Sequence, residues 1–243
     1  MSGPAGRAAA APDLGAVLRG FPHARTRGEV WDTIAFHAHK LLDRLAHRVR
    51  GRRRRPPHPV LLRAAVAQVL RVFPEPVCVE TGCIRSAAEE TRSTLAIASA
   101  LVRGRLYTFE LDPRHIALCR EICRDVDDRI TYVPGDAKVE LRRWADRWPA
   151  VHLAFLDSRN DADQIWEEFR ALEDRFVPGS LLVVDDVVPP SRKGLRVKPY
   201  LHAHPGWQTR LVYAGRGLLV AQRRGGPGEG SRAGAPGRAE VGA

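Results

Sequence analysis

Five apolar, β-type runs in this chain each lead into an acidic residue. Val77-Cys78-Val79 leads to Glu80, then Thr81 and Gly82, and Leu106–Phe109 leads to Glu110. Ile130–Val133 leads to Gly135-Asp136-Ala137, Ala154–Leu156 to Asp157, and Leu181–Val184 to Asp185-Asp186. Carboxylates at such positions accept hydrogen bonds from ribose hydroxyls or an amino group, or ligate a hard cation. A glycine such as Gly82 lets backbone approach a ligand closely. Ser93-Thr94 opens a helix-type stretch, where free N–H groups face the same loop.

Asp157, Asp185 and Asp186 give the sharpest chemical expectation, with Asp157 and Asp185 as the catalytic acids. If the runs that end in them are neighbours in a sheet, three carboxylates converge. Unpaired anions repel, and a divalent cation bound by all three would remove that cost and act as a Lewis acid. Oxygen-only ligands favour Mg²⁺, Mn²⁺ or Ca²⁺ over zinc. The alternative is that Asp157 touches a cofactor, Asp185 caps its strand and no metal binds. His202 and His204 offer neutral imidazole as a general base, or are solvated loop residues. Arg192, Lys193, Arg196 and Lys198 meet an anionic acceptor or form a solvated basic loop. Cys119 and Cys123 are four apart without a second ligand pair at zinc spacing, so the four cysteines read as thiols in core packing.

The elements that must position these residues alternate. After Val77–Glu80, a helix runs from Ser93-Thr94 to Val102. Strand Arg105–Glu110 precedes a helix from Pro113 to Arg124, and Ile130–Val133 precedes a helix capped by Asp136. Val151–Leu156 precedes a helix over Ala162–Phe176, and Pro178-Gly179 turns into Ser180–Asp185. The end differs: Trp207–Tyr213 and Gly217–Gln222 read as a hairpin. The expected fold is α/β, a Rossmann-like doubly wound seven-stranded sheet with a terminal antiparallel hairpin, preceded by N-terminal helices. In such sheets ligands bind outside the carboxyl ends of the strands. The domain reading is a disordered N-terminus over 1–26, a helical extension with a basic linker over 27–75, the ligand-binding domain over 76–223 and a disordered tail over 224–243. Within the extension, Val30, Ile34, Leu41, Leu42, Leu45 and Val49 mark one apolar helix face.

The order of these motifs resembles the class I S-adenosylmethionine (SAM) methyltransferases, over about residues 76–223. The wording Glu-Thr-Gly-Cys-Ile-Arg-Ser, then Ser-Thr-Leu, is similar to a subgroup with an extended first loop. The resemblance implies SAM as cofactor, held by Glu80, Thr81, Gly82, Ser93, Thr94, Glu110, Asp136, Ala137 and Asp157. Glu110 would take the ribose and Asp136 the adenine amino group. The strand-end acids are similar to those of catechol and antibiotic-sugar O-methyltransferases, which implies O-methylation of a small hydroxylated acceptor, with Mg²⁺ at Asp157, Asp185 and Asp186. Asn160 stands where the catechol type has a lysine, and Arg159 where the sugar type has an acid, so the base stays open. A nicotinamide-dependent Rossmann oxidoreductase would want a richer glycine loop. A nucleic-acid-binding protein or RNA methyltransferase would draw on the basic extension. A SAM-binding module without turnover is a further alternative.

Charge separates the two halves. Residues 1–75 hold 14 Lys and Arg against 5 Asp and Glu, whereas residues 76–223 hold 22 against 21. The basicity therefore belongs to the extension, chiefly Arg48, Arg50 and Arg52–Arg55, and not to the ligand-binding domain. That run lacks interleaved aromatics for base stacking, so a solvated linker is favoured over a nucleic-acid partner. With no apolar signal core or membrane span legible, the expected location is the cytoplasm. Replacing Arg52–Arg55 by Ser should leave SAM affinity unchanged in calorimetric titration and abolish any salt-sensitive nucleic-acid binding.

Overall fold

The computed structural model describes residues 13–26, 28–50, 58–88 and 92–225. The Arg52–Arg55 run, residues 1–12 and the tail from 226 lie outside the described residues. The helices are α1 (Leu14–Val17), α2 (Glu29–Arg50), α3 (His58–Val72), α4 (Ser93–Ala100), α5 (Pro113–Ile122), α6 (Ala137–Ala145), α7 (Ala162–Leu172) and α8 (Gly194–Ala203). The strands are β1 (His23–Ala24), β2 (Val77–Thr81), β3 (Arg105–Glu110), β4 (Ile130–Pro134), β5 (Val151–Leu156), β6 (Phe176–Val184), β7 (Trp207–Val212) and β8 (Leu218–Arg223).

They form one sheet in the order β1-β7-β8-β6-β5-β2-β3-β4. Strands β4, β3, β2, β5 and β6 are parallel; β8 runs antiparallel to β6, β7 to β8, and β1 to β7. The expected seven strands and the closing hairpin are present, and the two-residue β1 adds an eighth. Strand order reverses between β2 and β5, whose successors β3 and β6 lie on opposite sides. The crevice above that switch point is where a ligand enters an open α/β sheet.

Both faces of the sheet are covered, so the central strands are apolar throughout rather than alternating. Cys78, Phe155 and Val183 face α3 and α4, whereas Val79, Leu156 and Val184 face α6 and α7. The period-2 geometry of a strand decides this partition. It also sends the adjacent residues Glu80 and Thr81 to opposite faces, which matters for the site below.

Three expectations about the ends need correction. Residues 13–26 were expected to be disordered, yet Leu14, Val17, Leu18 and Phe21 are buried in the core against α3. Their spacing of three, one and three is a helix-type apolar stripe, set within an Ala/Gly/Arg-rich composition. Second, the expected apolar face of α2 is the outer one: Val30, Ile34, Leu41 and Leu42 are 69%, 53%, 58% and 65% exposed. The side chains of Leu45 and Val49 fall outside the described set. The face of α2 that packs carries Phe36 and Asp32, which are buried. Third, the segment after β6 was read as a loop and contains α8.

Asp32 and Lys198 of α8 explain why α2 turns that way. Both are almost fully buried, and Lys198 Nζ lies 3.7 Å from Asp32 Oδ2. Two desolvated opposite charges must face each other. Among the described residues no helix is long and apolar enough to cross a membrane. Asp32→Ala should destabilise the fold by about 3–5 kcal/mol, because it leaves a buried ammonium unpaired. Denaturant unfolding would measure this, and adding Lys198→Met to Asp32→Ala should recover much of the loss.

Candidate functional site

The turn after β2 opens a cleft of about 260 Å³ at the switch point, lined among others by Gly82, Phe109, Glu110, Gly135, Asp136, Ala137, Ser158 and Gln164. Gly82 sits at φ +81°, and a Cβ there would lie 2.8 Å from the Asp157 carbonyl oxygen. Only glycine fits, because the left-handed conformation and the close approach of the β2 and β5 ends coincide. The Gly82 N–H donates to the Phe109 carbonyl at 2.8 Å, which ties the turn to β3. Glu110 is held by N–H groups: Asp112 donates to Oε1 at 2.9 Å and Cys83 to Oε2 at 3.3 Å. Each carboxylate oxygen keeps capacity for a ligand hydroxyl. Asp136 caps α6 by accepting from the Lys138 N–H at 3.1 Å, and accepts from Gln164 Nε2 at 3.0 Å.

Glu80, Thr81, Ser93 and Thr94 are not among the cleft's lining residues. Glu80 is fully buried; Thr94 and Thr108 donate their hydroxyls to its Oε2 at 2.7 and 2.9 Å. Burial pushes its carboxyl up to about 8, against the opposing pull of nearby hydroxyls. Thr81, one residue on and therefore on the other face, donates to Glu168 Oε2 at 2.8 Å. Glu168 also accepts from Ser158 at 2.6 Å and Gln164 at 2.8 Å, so this buried acid of α7 fastens the loops after β2 and β5. No strand-end pattern in the sequence pointed to it. Ser93 does not cap α4: Arg92 holds that position at φ +35° without a side-chain bond. The four cysteines are free and buried, with Cys119 and Cys123 sulfurs 4.0 Å apart.

Asp157, Asp185 and Asp186 lie near enough for their charges to act on one another. Burial pushes the Asp185 carboxyl up to about 7, reinforced by the charges of Asp157 and Asp186. Burial likewise raises Asp157, with Lys193 and Arg85 opposing. Yet the oxygens face protein cations. The buried Lys193 ammonium donates to Asp157 Oδ1, and Arg85 lies 3.6 Å from Oδ2. Arg216 lies 3.5 Å from Asp186 Oδ2, and Asp185 Oδ1 accepts the Asp186 N–H at 2.8 Å. Among the described residues no group of three or more His, Cys, Asp or Glu side chains is arranged to hold a metal ion. The expected Mg²⁺ ligand set therefore does not fit: Asp157 and Asp186 are already paired with cations of the chain, which among the described residues leaves Asp185 alone without one.

A second cavity, of about 230 Å³, lies on the other side of this cluster, between α2 and the turns after β6 and β7. Phe36, Leu41, Pro189 and Pro190 form its apolar wall; His37, Lys40 and Arg216 supply polar groups. Arg85 lines the first cavity and Arg216 the second. Arg85 pairs with Asp157 at the first cavity, and Arg216 pairs with Asp186 at the second. His58, the first residue of α3, lies against the Gly215 turn: its imidazole is 2.6 Å from where a Gly215 Cβ would be. Burial lowers its pKa, while Asp157 and Asp186 push it up and Lys40 pushes it down. Sequence reading missed His58 because it stands among prolines and arginines, with no strand end beside it.

The histidines first considered lie elsewhere. Registers align Gln208 with Gln222 and Gln222 with Leu181, which places the start of β7 at the edge opposite Asp185. His202 Nδ1 pairs with the Thr26 hydroxyl at 2.7 Å, and His204 Nδ1 accepts from the Gly206 N–H at 2.9 Å. Nor do the post-β6 cations form a solvated loop. Lys193 and Lys198 are buried in ion pairs, and Arg196 pairs with Asp163 and covers the Trp166 ring. Arg192 is exposed; its N–H donates to Asn160 Oδ1 at 2.9 Å.

Residues 90–187 match the family model of a methyltransferase domain, Methyltransf_24. No curated protein matches the chain. Among solved structures, it is similar to the O-methyltransferase TomG of Streptomyces achromogenes, in complex with SAM (21% identity, TM-score 0.57, covering 83% of this chain and 92% of that one). It is also similar to an O-methyltransferase from Bacillus cereus in complex with SAH (18%, TM-score 0.58, 78% and 91%). A third, SAH-bound, is the Podospora anserina methyltransferase PaMTH1 (17%, TM-score 0.53, 83% and 98%). At these identities the likeness is one of fold. The nicotinamide and nucleic-acid readings find no support among these matches.

Glu110→Ala should weaken SAM binding by about 1.5–3 kcal/mol, ten- to a hundredfold, the worth of hydrogen bonds to a charged group. Gly82→Val should abolish binding through the clash with Asp157. Calorimetric titration of folded variants checks both, and parental affinity in either would remove that residue from the site.

Proposed function

Since residues 90–187 match a methyltransferase-domain model and the fold is similar to SAM- and SAH-bound O-methyltransferases, we propose that the chain is a class I SAM-dependent methyltransferase and methylates a hydroxyl oxygen of a small acceptor. SAM lies in the cleft beside Gly82 and Glu110, and the acceptor in the cavity beneath α2. The observation that carries this reading is the charge-paired run Arg85–Asp157–Lys193, with Asp186–Arg216 beyond, lying between two cavities of similar size. Direct methyl transfer needs the two substrates end to end, so in this reading the acceptor reaches the cleft past these side chains.

In this reading Glu110 accepts from the ribose hydroxyls, Asp136 from the adenine amino group, and the turn at Gly82 receives the methionine portion. Glu80, Thr81, Ser93 and Thr94 support that turn from behind rather than touch the ligand. SAM supplies an electrophilic methyl group on a positively charged sulfur. The acceptor oxygen forms its bond to that methyl carbon as the carbon–sulfur bond breaks, and the electron pair stays on sulfur. The hydroxyl proton passes to His58. Burial favours neutral imidazole there, the form that can take a proton. Phe36, Pro189 and Pro190 suit the apolar body of the acceptor, and oxygen as the methylated atom agrees with the activity named for the TomG and Bacillus cereus proteins.

His58→Ala should lower kcat by roughly 10²–10⁴-fold, the usual contribution of a positioned general base, with SAM affinity unchanged. Because the His58 pKa is depressed, its base form persists to lower pH than an ordinary imidazole's. The wild-type rate should therefore fall only as pH drops below the range in which an ordinary imidazole titrates. SAH formation against a panel of catechols and hydroxylated small molecules, followed across pH, checks this. An identical acid limb in His58→Ala would remove the residue from catalysis.

A further inference from the structure

We infer that Lys193 is the resident cation of the acid cluster, standing in place of a divalent metal ion and excluding one. As a statement about catalysis this rests on the methyltransferase reading; as a statement about binding it rests on geometry alone.

The position is built rather than incidental. Lys193 is 3% exposed, although lysine is almost never fully buried unless paired. Its ammonium donates to Asp157 Oδ1. The backbone that carries it has little freedom. Gly194 approaches the exit of β6 so closely that a Cβ would lie 2.4 Å from the Val187 carbonyl oxygen. Two residues before Lys193, the Ser191 hydroxyl donates to Asn160 Oδ1 at 2.7 Å, and the Arg192 N–H donates to the same atom at 2.9 Å. These bonds pin the segment after β6 to the loop after β5, so the lysine cannot swing out to solvent without breaking both.

Charge makes the same point. Asp157 meets two cations, Lys193 and Arg85, and Asp186 meets Arg216, so two acids already face three bases. An added divalent ion would add positive charge to acids that already face these cations, close to the buried ammonium that holds Asp157. That repulsion is large where water is scarce. A hard cation also needs several oxygens free to turn toward it. Here Asp157 presents one oxygen to Lys193 and the other to Arg85.

The test is Mn²⁺ titrated into the full chain and followed by electron paramagnetic resonance of the free ion. Wild type should leave the free-ion signal undiminished. Lys193→Ala removes the resident charge and should take up Mn²⁺ stoichiometrically, with a rise in Tm on adding the ion. Adding Asp185→Asn to that variant should abolish the uptake. Lys193→Arg, which keeps the charge, should exclude Mn²⁺ as wild type does. SAM titration reports whether each variant is folded. Stoichiometric Mn²⁺ binding by wild type that Asp185→Asn removes would overturn the inference. So would a Lys193→Ala protein that binds SAM but takes up no Mn²⁺. If Lys193→Ala does not fold, the wild-type titration decides alone. Failure of wild type to bind SAM would count against the methyltransferase reading and leave the metal result standing.

Discussion

Three carboxylates brought to one edge of a sheet, two of them buried, cannot persist without compensation. Desolvating an ion costs several kcal/mol unless a partner and hydrogen bonds offset it. Much of the carboxyl edge of this protein answers that constraint. Lys193 comes from the start of α8, Arg85 from the loop after β2, and Arg216 from the turn between β7 and β8. Three separate segments are drawn to these acids, with Arg85 beside the first cavity and Arg216 beside the second.

The same edge shows how a small backbone requirement shapes a binding site. The ends of β2 and β5 approach so closely at Gly82 that a side chain is excluded, and the cleft opens in front of that approach. Behind it, Glu80 and Thr81 are spent on structure. Glu80 gathers the hydroxyls of Thr94 and Thr108, and Thr81 reaches Glu168 on the opposite face. A residue at a strand end is therefore not a ligand contact by position alone. Where its side chain points is settled by the alternation of the strand, and of the acids after the five runs Glu110 and Asp136 line the cleft.

The fold was largely legible because its signals are local. Apolar runs of strand length, acids and glycines after them, Asp112 and Asp136 as helix caps and a short turn between two β-runs depend on neighbours in the chain. What stayed hidden depends on partners far away in sequence. The helix-type spacing of Leu14, Val17, Leu18 and Phe21 was present but diluted by its surroundings. The orientation of α2 was misread because an apolar stripe normally turns inward, whereas here a buried Asp32 faces Lys198 of α8. For the candidate site, the acids were readable and their neutralisation was not, since nothing local to Asp157 announces a lysine in the segment after β6.

The sequence by itself determined the α/β architecture and placed Asp157 and Asp185-Asp186 at the ends of neighbouring strands. Strand order, the switch point and side-chain alternation follow from local pattern and the handedness of parallel connections. Only the tertiary structure decided what those acids meet. It brought Lys193 onto Asp157, set His58 beside the turn at Gly215, and carried His202 and His204 to the opposite edge. The reason is physical: a backbone preference is a property of adjacent residues, whereas the partner of a buried charge is selected by electrostatics among groups that only folding makes neighbours.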